Sequence, residues 1–432
     1  MTTLQIALFL FAILAVLLVG GVWIALSLAI VAWAGLMLFS NSPPDINLFT
    51  ALWGSSASWT LAALPLFIWM GEILYRTRLS DELFSGLAPW LDRVPGRLMH
   101  VNILGCGIFG IVSGSSAATC ATVAKVNLPE LKRRGYDEKI CLGSLCGAGT
   151  LGILLPPSII MVVYAVAADV SIIRVFFAGF LPGLLVMVLY SGYIVFWALR
   201  HPDRTPPAGA PLTLAQKISA SRNLIPVATL TIFVIWVMVA GYATATEAAA
   251  FSVIGALGVA AWNRSLTWRN FADSLLGATR MSCMIMFILG CASFLTVTMG
   301  FTGVPRALAE WVASMELNKF TLIGVLCLIY LLLGTALDGI SMIVLTTSVV
   351  IPIVQRAGID LVWFGIFIVL LVEIAEVTPP LGFNLFVLQT MTGKDGNYVA
   401  WASLPFFFML LLAIVIITVF PGIVTWLPDK VV

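Results

Sequence analysis

The chain has 432 residues, of which 61% are hydrophobic and 10% charged, with net charge +2 and mean hydropathy +1.08. A water-soluble domain carries about 25% charged residues, so almost none of this chain is soluble mass. It contains no basic patch interleaved with aromatics, which excludes a nucleic-acid partner, and the composition is that of an all-α polytopic membrane protein.

A crossing helix needs about 20 apolar residues. In chain order, Leu4 to Val19 and Val22 to Phe39 read as two short spans parted by Gly20-Gly21, and Phe49 to Tyr75 as a third. The first run has no basic n-region and no small-residue cleavage site, so it reads as a retained helix. Residues 80–93 form an amphipathic interfacial helix, with Leu83, Phe84, Leu87 and Leu91 on one face. The apolar stretch 99–126 is interrupted by Ser113-Gly114-Ser115-Ser116, which predicts a re-entrant hairpin with its tip at residues 113–119. The helix 140–167 is expected to break between Gly149 and Pro157, and Val175 to Leu199 is a further span. Residues 201–222 are Pro-rich and basic and read as a linker.

From 223 to 432 the plan repeats. Leu224 to Ala240, Ala243 to Trp262 and Phe271 to Gly300 are spans, and 304–315 is a second interfacial helix. A second hairpin covers 320–350, with Gly334 to Gly339 at its tip, and a second broken helix covers 361–391. Trp401 to Trp426 is the last span, giving ten spans and two hairpins in all. An offset of 223 carries Pro129 to Pro352, Pro156-Pro157 to Pro379-Pro380 and Pro182 to Pro405, without a gap. Proline sets where helices break, so its register persists when other positions drift. Five spans per half is odd, which makes the two halves, 1–200 and 223–432, inverted repeats.

The positive-inside rule gives an independent orientation. With the linker cytoplasmic, 16 Lys and Arg fall on that side and 5 on the other: Arg174, Arg306, Lys319, Arg356 and Lys430. Arg280 lies inside a span, and both termini are expected to face the periplasm.

Two inverted repeats meeting at mid-membrane are the plan of secondary transporters. Hydroxyls and unwound carbonyls suit Na⁺, and half-helix N-termini suit an anion. The first ion site is expected from Ser113 and Ser115 with carbonyls near Gly149, Gly152 and Pro156. The second is expected from Gly334, Asp338 and Glu376 with Thr378 and Pro379. Between them the substrate would meet Ser115, Ser116, Thr119, Pro157, Gly339, Ser341 and Pro380. Intramembrane carboxylates are functional suspects, and Glu373 is a weaker one than Asp338 or Glu376. Asp338 could equally hold the hairpin's shape, and Glu247 could cap its helix. Seven cysteines form no CxxC pair and read as buried thiols. His100 and His201 receive no catalytic role. No Walker A, GxSxG or HExxH motif is present, and no enzymatic activity is expected.

Ser113-Gly114-Ser115-Ser116-Ala117-Ala118-Thr119, Leu155-Pro156-Pro157-Ser158, Thr246-Glu247-Ala248-Ala249-Ala250, Leu337-Asp338-Gly339-Ile340-Ser341-Met342 and Val377-Thr378-Pro379-Pro380-Leu381-Gly382 resemble the large membrane subunit of TRAP transporters (DctM-like). The resemblance covers nearly the whole chain. It implies an elevator-type importer in the bacterial inner membrane that carries an organic anion with two or more Na⁺. It also implies a small four-helix membrane subunit of the Q type and a periplasmic binding protein of the P type. The spans from Leu4 to Phe39 would then be static scaffold against lipid and the small subunit. The family often has a proline before Thr-Glu, where this chain has Ala245. A stand-alone divalent-anion/Na⁺ symporter shares the architecture, and a polytopic membrane enzyme is the reading from a different class.

Overall fold

The computed structural model describes residues 3–77, 79–207, 213–335, 337–379 and 382–431. Arg78 of the charge count, Ala336 of the second tip and Pro380 beside the second break lie outside them. Among the described residues every regular element is helical.

Helices α1 (Thr3–Val19) and α2 (Ile24–Phe39) pair across the turn at Gly20-Gly21, where Gly21 takes φ +74°. The span expected from Phe49 to Tyr75 is two helices, α3 (Pro44–Ser56) and α4 (Ala63–Tyr75), joined by a 3₁₀ turn at Trp59–Ala62. The cause lies in Ser55-Ser56-Ala57-Ser58, whose hydroxyls compete for backbone; Ser55 already bonds the Leu52 carbonyl at 3.1 Å. Helix α5 (Leu79–Leu91) precedes the first hairpin, α6 (Met99–Ser113) and α7 (Ser116–Arg133). The first broken helix is α8 (Glu138–Gly149), α9 (Leu151–Leu154) and α10 (Ile159–Ala167), bent by 46°. The break falls at Leu155 to Ser158, around the cis Pro156-Pro157 bond, so Gly149 stays helical. Helix α11 (Ile172–Arg200) follows.

The linker contains a helix, α12 (Leu214–Ser221), closed by a capping box between Thr213 and Gln216. It lies on α5: the Trp90 indole donates to Ser221 Oγ at 2.8 Å, and that hydroxyl donates to the Gly86 carbonyl at 2.8 Å. Helices α13 (Ile225–Val239), α14 (Ala245–Trp262), α15 (Trp268–Thr302) and α16 (Val304–Ser314) come next. The second hairpin is α17 (Lys319–Gly334) and α18 (Gly339–Arg356). The second broken helix is α19 (Leu361–Glu376) and α20 (Phe383–Thr392). The expected last span ends early: α21 (Gly396–Val419) stops at Phe420-Pro421 and α22 (Gly422–Val431) starts anew. Proline cannot supply the amide that would continue the ladder.

Five described helices are long and apolar enough to cross a bilayer alone: α11, α14, α15, α18 and α21. The shorter apolar helices, such as α2, α4, α6 and α17, hold 13 to 16 residues.

The 223-residue offset is present in the backbone itself. It carries Ser116–Arg133 onto Gly339–Arg356, the start of α8 onto the start of α19, and the end of α5 onto the end of α16. It carries left-handed Gly135 (φ +80°) onto left-handed Gly358 (φ +67°), and the helix caps Ser115 and Asp137 onto Asp338 and Asp360.

Two packing groups result. Long α15 lies against α2, α3 and α4. There Thr298 Oγ1 donates to the Ala32 carbonyl at 3.2 Å and the Trp69 indole to Ser274 Oγ at 3.2 Å. The other group surrounds α19, in which every residue from Val362 to Ala375 is buried. A helix that is apolar all round belongs in such a position. Ion pairs between elements join loops that the charge count puts on one side: Lys394 to Glu138 (2.8 Å), Arg204 to Asp137 (3.5 Å), Arg174 to Asp429 (3.0 Å) and Arg356 to Glu310 (3.9 Å).

Glycine sets the spacing of α8 against α21. A Cβ on Gly143 would strike the Ala402 carbonyl oxygen and sit 2.8 Å from its carbon, whereas one on Gly192 meets nothing within 4 Å. Overpacking of this kind costs about 1–3 kcal/mol. Gly143→Ala should lower the thermal unfolding midpoint in detergent by several degrees and Gly192→Ala should not. Equal midpoints for the two variants would contradict the close approach.

Candidate functional site

The first tip is the turn between α6 and α7. Gly114 takes φ +59°, which suits a residue without a Cβ, and ends α6. Ser113 and Thr119 hydroxyls lie 2.6 Å apart, and Thr119 Oγ1 also donates to the Ser115 carbonyl at 2.7 Å. Ser115 is the cap of α7, its Oγ accepting from the Ala118 amide at 3.5 Å. The broken helix comes against this knot of oxygens through glycine. A Cβ on Gly152 would lie 2.7 Å from Thr119 Oγ1 and 2.8 Å from the Ser115 carbonyl oxygen. A Cβ on Gly110 would lie 2.6 Å from Gly152 Cα. Ser113, Ser115, Thr119 and Gly152 therefore share one place. Buried Pro156 and Pro157 are at its edge, the Pro157 carbonyl 3.5 Å from where a Gly114 Cβ would be. Gly149 faces elsewhere, toward Cys120 and Asn384.

The second tip is built alike with a charged cap. Asp338 precedes α18 and accepts from the Ser341 amide at 3.3 Å and from the Ser341 hydroxyl. Asp338 is exposed and Ser341 is buried. Gly334 lets α17 touch Ala375 of α19, and Gly339 lets α18 approach Val372 of α19 and Ile160 of α10. The second break turns sharply: carbonyls of Glu376 and Thr378 both lie 2.9 Å from where a Gly382 Cβ would be. Thr378 Oγ1 is spent on the Ile374 carbonyl at 2.6 Å, and Pro379 is exposed.

Each tip thus touches its own half's broken helix and the far arm of the other half's. The carboxyl of Glu376 is where they converge. It lies beside the Ser116 hydroxyl of the first tip and senses the Asp338 charge of the second, and one of its oxygens is buried without a hydrogen bond. Ser116 points away from Ser113 and donates to Asn384 Oδ1 at 3.1 Å. Asn384, wholly buried on α20, donates in turn to the Cys146 carbonyl of α8 at 3.1 Å. Asn384 is not among the residues that the sequence pattern singles out. Its signal was a single amide in the apolar run Phe383 to Val387.

Other candidates resolve plainly. Glu247 forms a capping box with Thr244, accepting from its amide at 2.8 Å and its hydroxyl at 2.9 Å. It lines a 680 Å³ cavity with Asp169 and Trp59, away from the tips. His100 bonds the Pro95 carbonyl at 2.7 Å, and His201 stacks on Trp197. All seven cysteines are free; five are buried, Cys327 is partly so, and Cys283, expected to be buried, faces outward on α15.

Hairpin tips and broken helices packed tip to break, in an all-helical membrane chain, define a polytopic transporter. The fold agrees: the chain superposes on the YdaH transporter of Alcanivorax borkumensis with TM-score 0.68 at 14% identity, covering 96% of this chain and 99% of that one. The sequence profile of the family described as "Tripartite ATP-independent periplasmic transporter, DctM component" matches residues 11–423, and the chain belongs to this family. The C4-dicarboxylate TRAP transporter large permease protein DctM of Pseudomonas aeruginosa is 31% identical over 396 residues, 91% of this chain and 92% of that protein. The isethionate TRAP transporter permease protein DctMQ of Oleidesulfovibrio alaskensis is 29% identical over 416 residues, 96% of this chain and 65% of that protein. The chain is a transport protein and not an enzyme.

Removing Asn384 would leave the Cys146 carbonyl and the Ser116 hydroxyl without their partner. A buried group left so costs about 1–3 kcal/mol. Asn384→Leu should lower the unfolding midpoint and weaken uptake together, while Thr390→Leu on the exposed face of α20 should do neither. An unchanged midpoint in Asn384→Leu would contradict the link.

Proposed function

We propose that this chain is the large transmembrane subunit of a Na⁺-driven tripartite importer of a small organic anion. The carrying observation is that both tips pack on both broken helices, bringing the oxygens of Ser113, Ser115, Asp338 and Glu376 to the breaks. Carboxyl and hydroxyl oxygens of that kind are ligands for a hard monovalent cation. Sodium is cargo here: one ion at Ser113, Ser115 and the carbonyls of Gly152 and Pro156, another at Gly334, Asp338, Glu376, Thr378 and Pro379. The anion lies between them, its charge offset by both, against Ser115, Thr119, Pro157, Gly339 and Ser341. The ends of α7 and α18 that face it are helix N-termini, which favour negative charge.

The substrate class follows the relatives, one named for a C4-dicarboxylate and one for the sulfonate isethionate. A periplasmic binding protein delivers the anion, and a small membrane subunit joins the scaffold. The relative named DctMQ, of which this chain spans 65%, supports a Q-type partner. The α19-centred group is the moving part of an elevator and the α2–α15 group its static frame in the inner membrane, with both termini periplasmic. Two packing groups, which meet where α15 lies on α18 and α4 on α6, support this division.

Two measurements test the reading. Loss of one oxygen ligand costs about 1–3 kcal/mol, roughly five- to a hundred-fold in apparent affinity. With the partner subunits in proteoliposomes, Ser115→Ala and Asp338→Asn should raise the Na⁺ concentration for half-maximal uptake by that factor at matched expression. If both keep the parental half-saturation and Hill slope, the tips are structural. Cysteine labelling should reach positions 132–134 from the cytoplasm and position 356 from the periplasm; both loops on one side would refute the inversion.

A further inference from the structure

Glu373 sits mid-way in the buried group around α19 and has no exposed surface. Neither carboxyl oxygen makes a hydrogen bond to the protein. The Tyr190 hydroxyl, reaching in from α11 and equally buried, also makes none. Between them is Thr150, at the joint of α8 and α9. Its hydroxyl donates to the Gly147 carbonyl at 2.8 Å, and its oxygen lies beside both Glu373 and Tyr190. Three elements bring polar groups to one point, and the carboxyl and the phenol are left without a hydrogen bond.

The charged and titratable surroundings are few. Glu376 is one turn along α19 and repels Glu373; Tyr190 faces it from α11, and Cys146 of α8 lies beyond Tyr190. Asp338, the cap before α18, and Cys120 of α7 act on Glu376 rather than on Glu373. Helices α10, α17, α18, α20, α21 and α22 also pack on α19. Among the described residues none brings a lysine, arginine or histidine to the carboxyl.

An ionised carboxylate with no cation, no hydrogen bond and a second carboxylate one turn away is in its least favourable setting. A bound proton removes the charge and converts one oxygen into a donor. The Thr150 and Tyr190 oxygens are the acceptors it would meet. A sodium ion needs a fuller shell of oxygens than one carboxyl and two hydroxyls give. We propose that Glu373 is a proton-binding site, with Thr150 and Tyr190 as its hydrogen-bonding shell, distinct from the tips. The step is simple addition: one proton joins the carboxylate to give the acid, and no other bond changes. The site lies inside the packing group that holds both breaks.

This inference stands apart from sodium coupling and is tested without transport. Infrared spectra of the purified full chain in lipid at neutral pH should contain the C=O stretch of a carboxylic acid in an apolar setting. That band should vanish in Glu373→Gln, shift in Glu373→Asp and Tyr190→Phe, and persist in Glu376→Gln. Identical spectra for the parent and Glu373→Gln, both folded by thermal melt, would overturn it. Equilibrium binding of radioactive sodium should give the same number of ions per chain in parent and Glu373→Gln. One ion fewer in the variant would make this a sodium site and overturn the proton.

Discussion

A helix broken inside a bilayer frees amides and carbonyls that have no water to bond, and protein must cover them. In this chain the cover is close helix packing at the tips and breaks, made possible by glycine: Gly152 comes against the Ser115 carbonyl, and Gly334 and Gly339 come against side chains of α19 and α10. Gly110, Gly152, Gly334 and Gly339 are the contacts through which tips reach breaks, and a methyl group at any of them would meet a neighbouring atom at 3.0 Å or less. The cost of polar backbone at that depth and the opportunity to hold ions arise from the same fact. Oxygens crowded together for want of water are also oxygens arranged around a point.

The two halves use this scaffold differently. The first tip ends in neutral hydroxyls, Ser113, Ser115 and Thr119, which satisfy one another and the local carbonyls. The second ends in Asp338, and its broken helix adds Glu376 and Glu373. Repeated backbone with unequal charge puts the acidic groups on one side of the site. The cross-links do the opposite and tie the sides together. Ser116 of the first tip reaches Asn384 of the second broken helix, and Gly339 of the second tip packs on Ile160 of the first. Each tip is therefore in direct contact with the other half's broken helix.

Much of this was legible in the residues. Prolines and left-handed glycines carry backbone geometry that no side chain can restore, so Pro129, Pro156 and Gly135 announced both the breaks and the 223-residue offset. Apolar runs announced helices but not their ends: the serine-rich turn after Ser55 split one expected span, and Pro421 shortened another. Helix α12 lies in a stretch that reads as linker, because its stability comes from Trp90 and Gly86 far away in sequence. The site was legible as a set of neighbours along the chain, less so as partners in space. Asn384, Thr150 and Tyr190 are ordinary letters in apolar helices, and only packing gives them their neighbours. Glu373 ranked below Glu376 by its spacing, yet it is the more enclosed of the two.

In the proposed mechanism one cargo-loading event closes both tips together. Hydrogen exchange of the purified complex with and without sodium reads this directly, since protection reports local opening. The account predicts that sodium slows exchange at residues 113–119 and 337–341 together, and at both breaks, while α2 and α15 stay unchanged. Protection that rises at one tip alone, or equally in potassium, would contradict it.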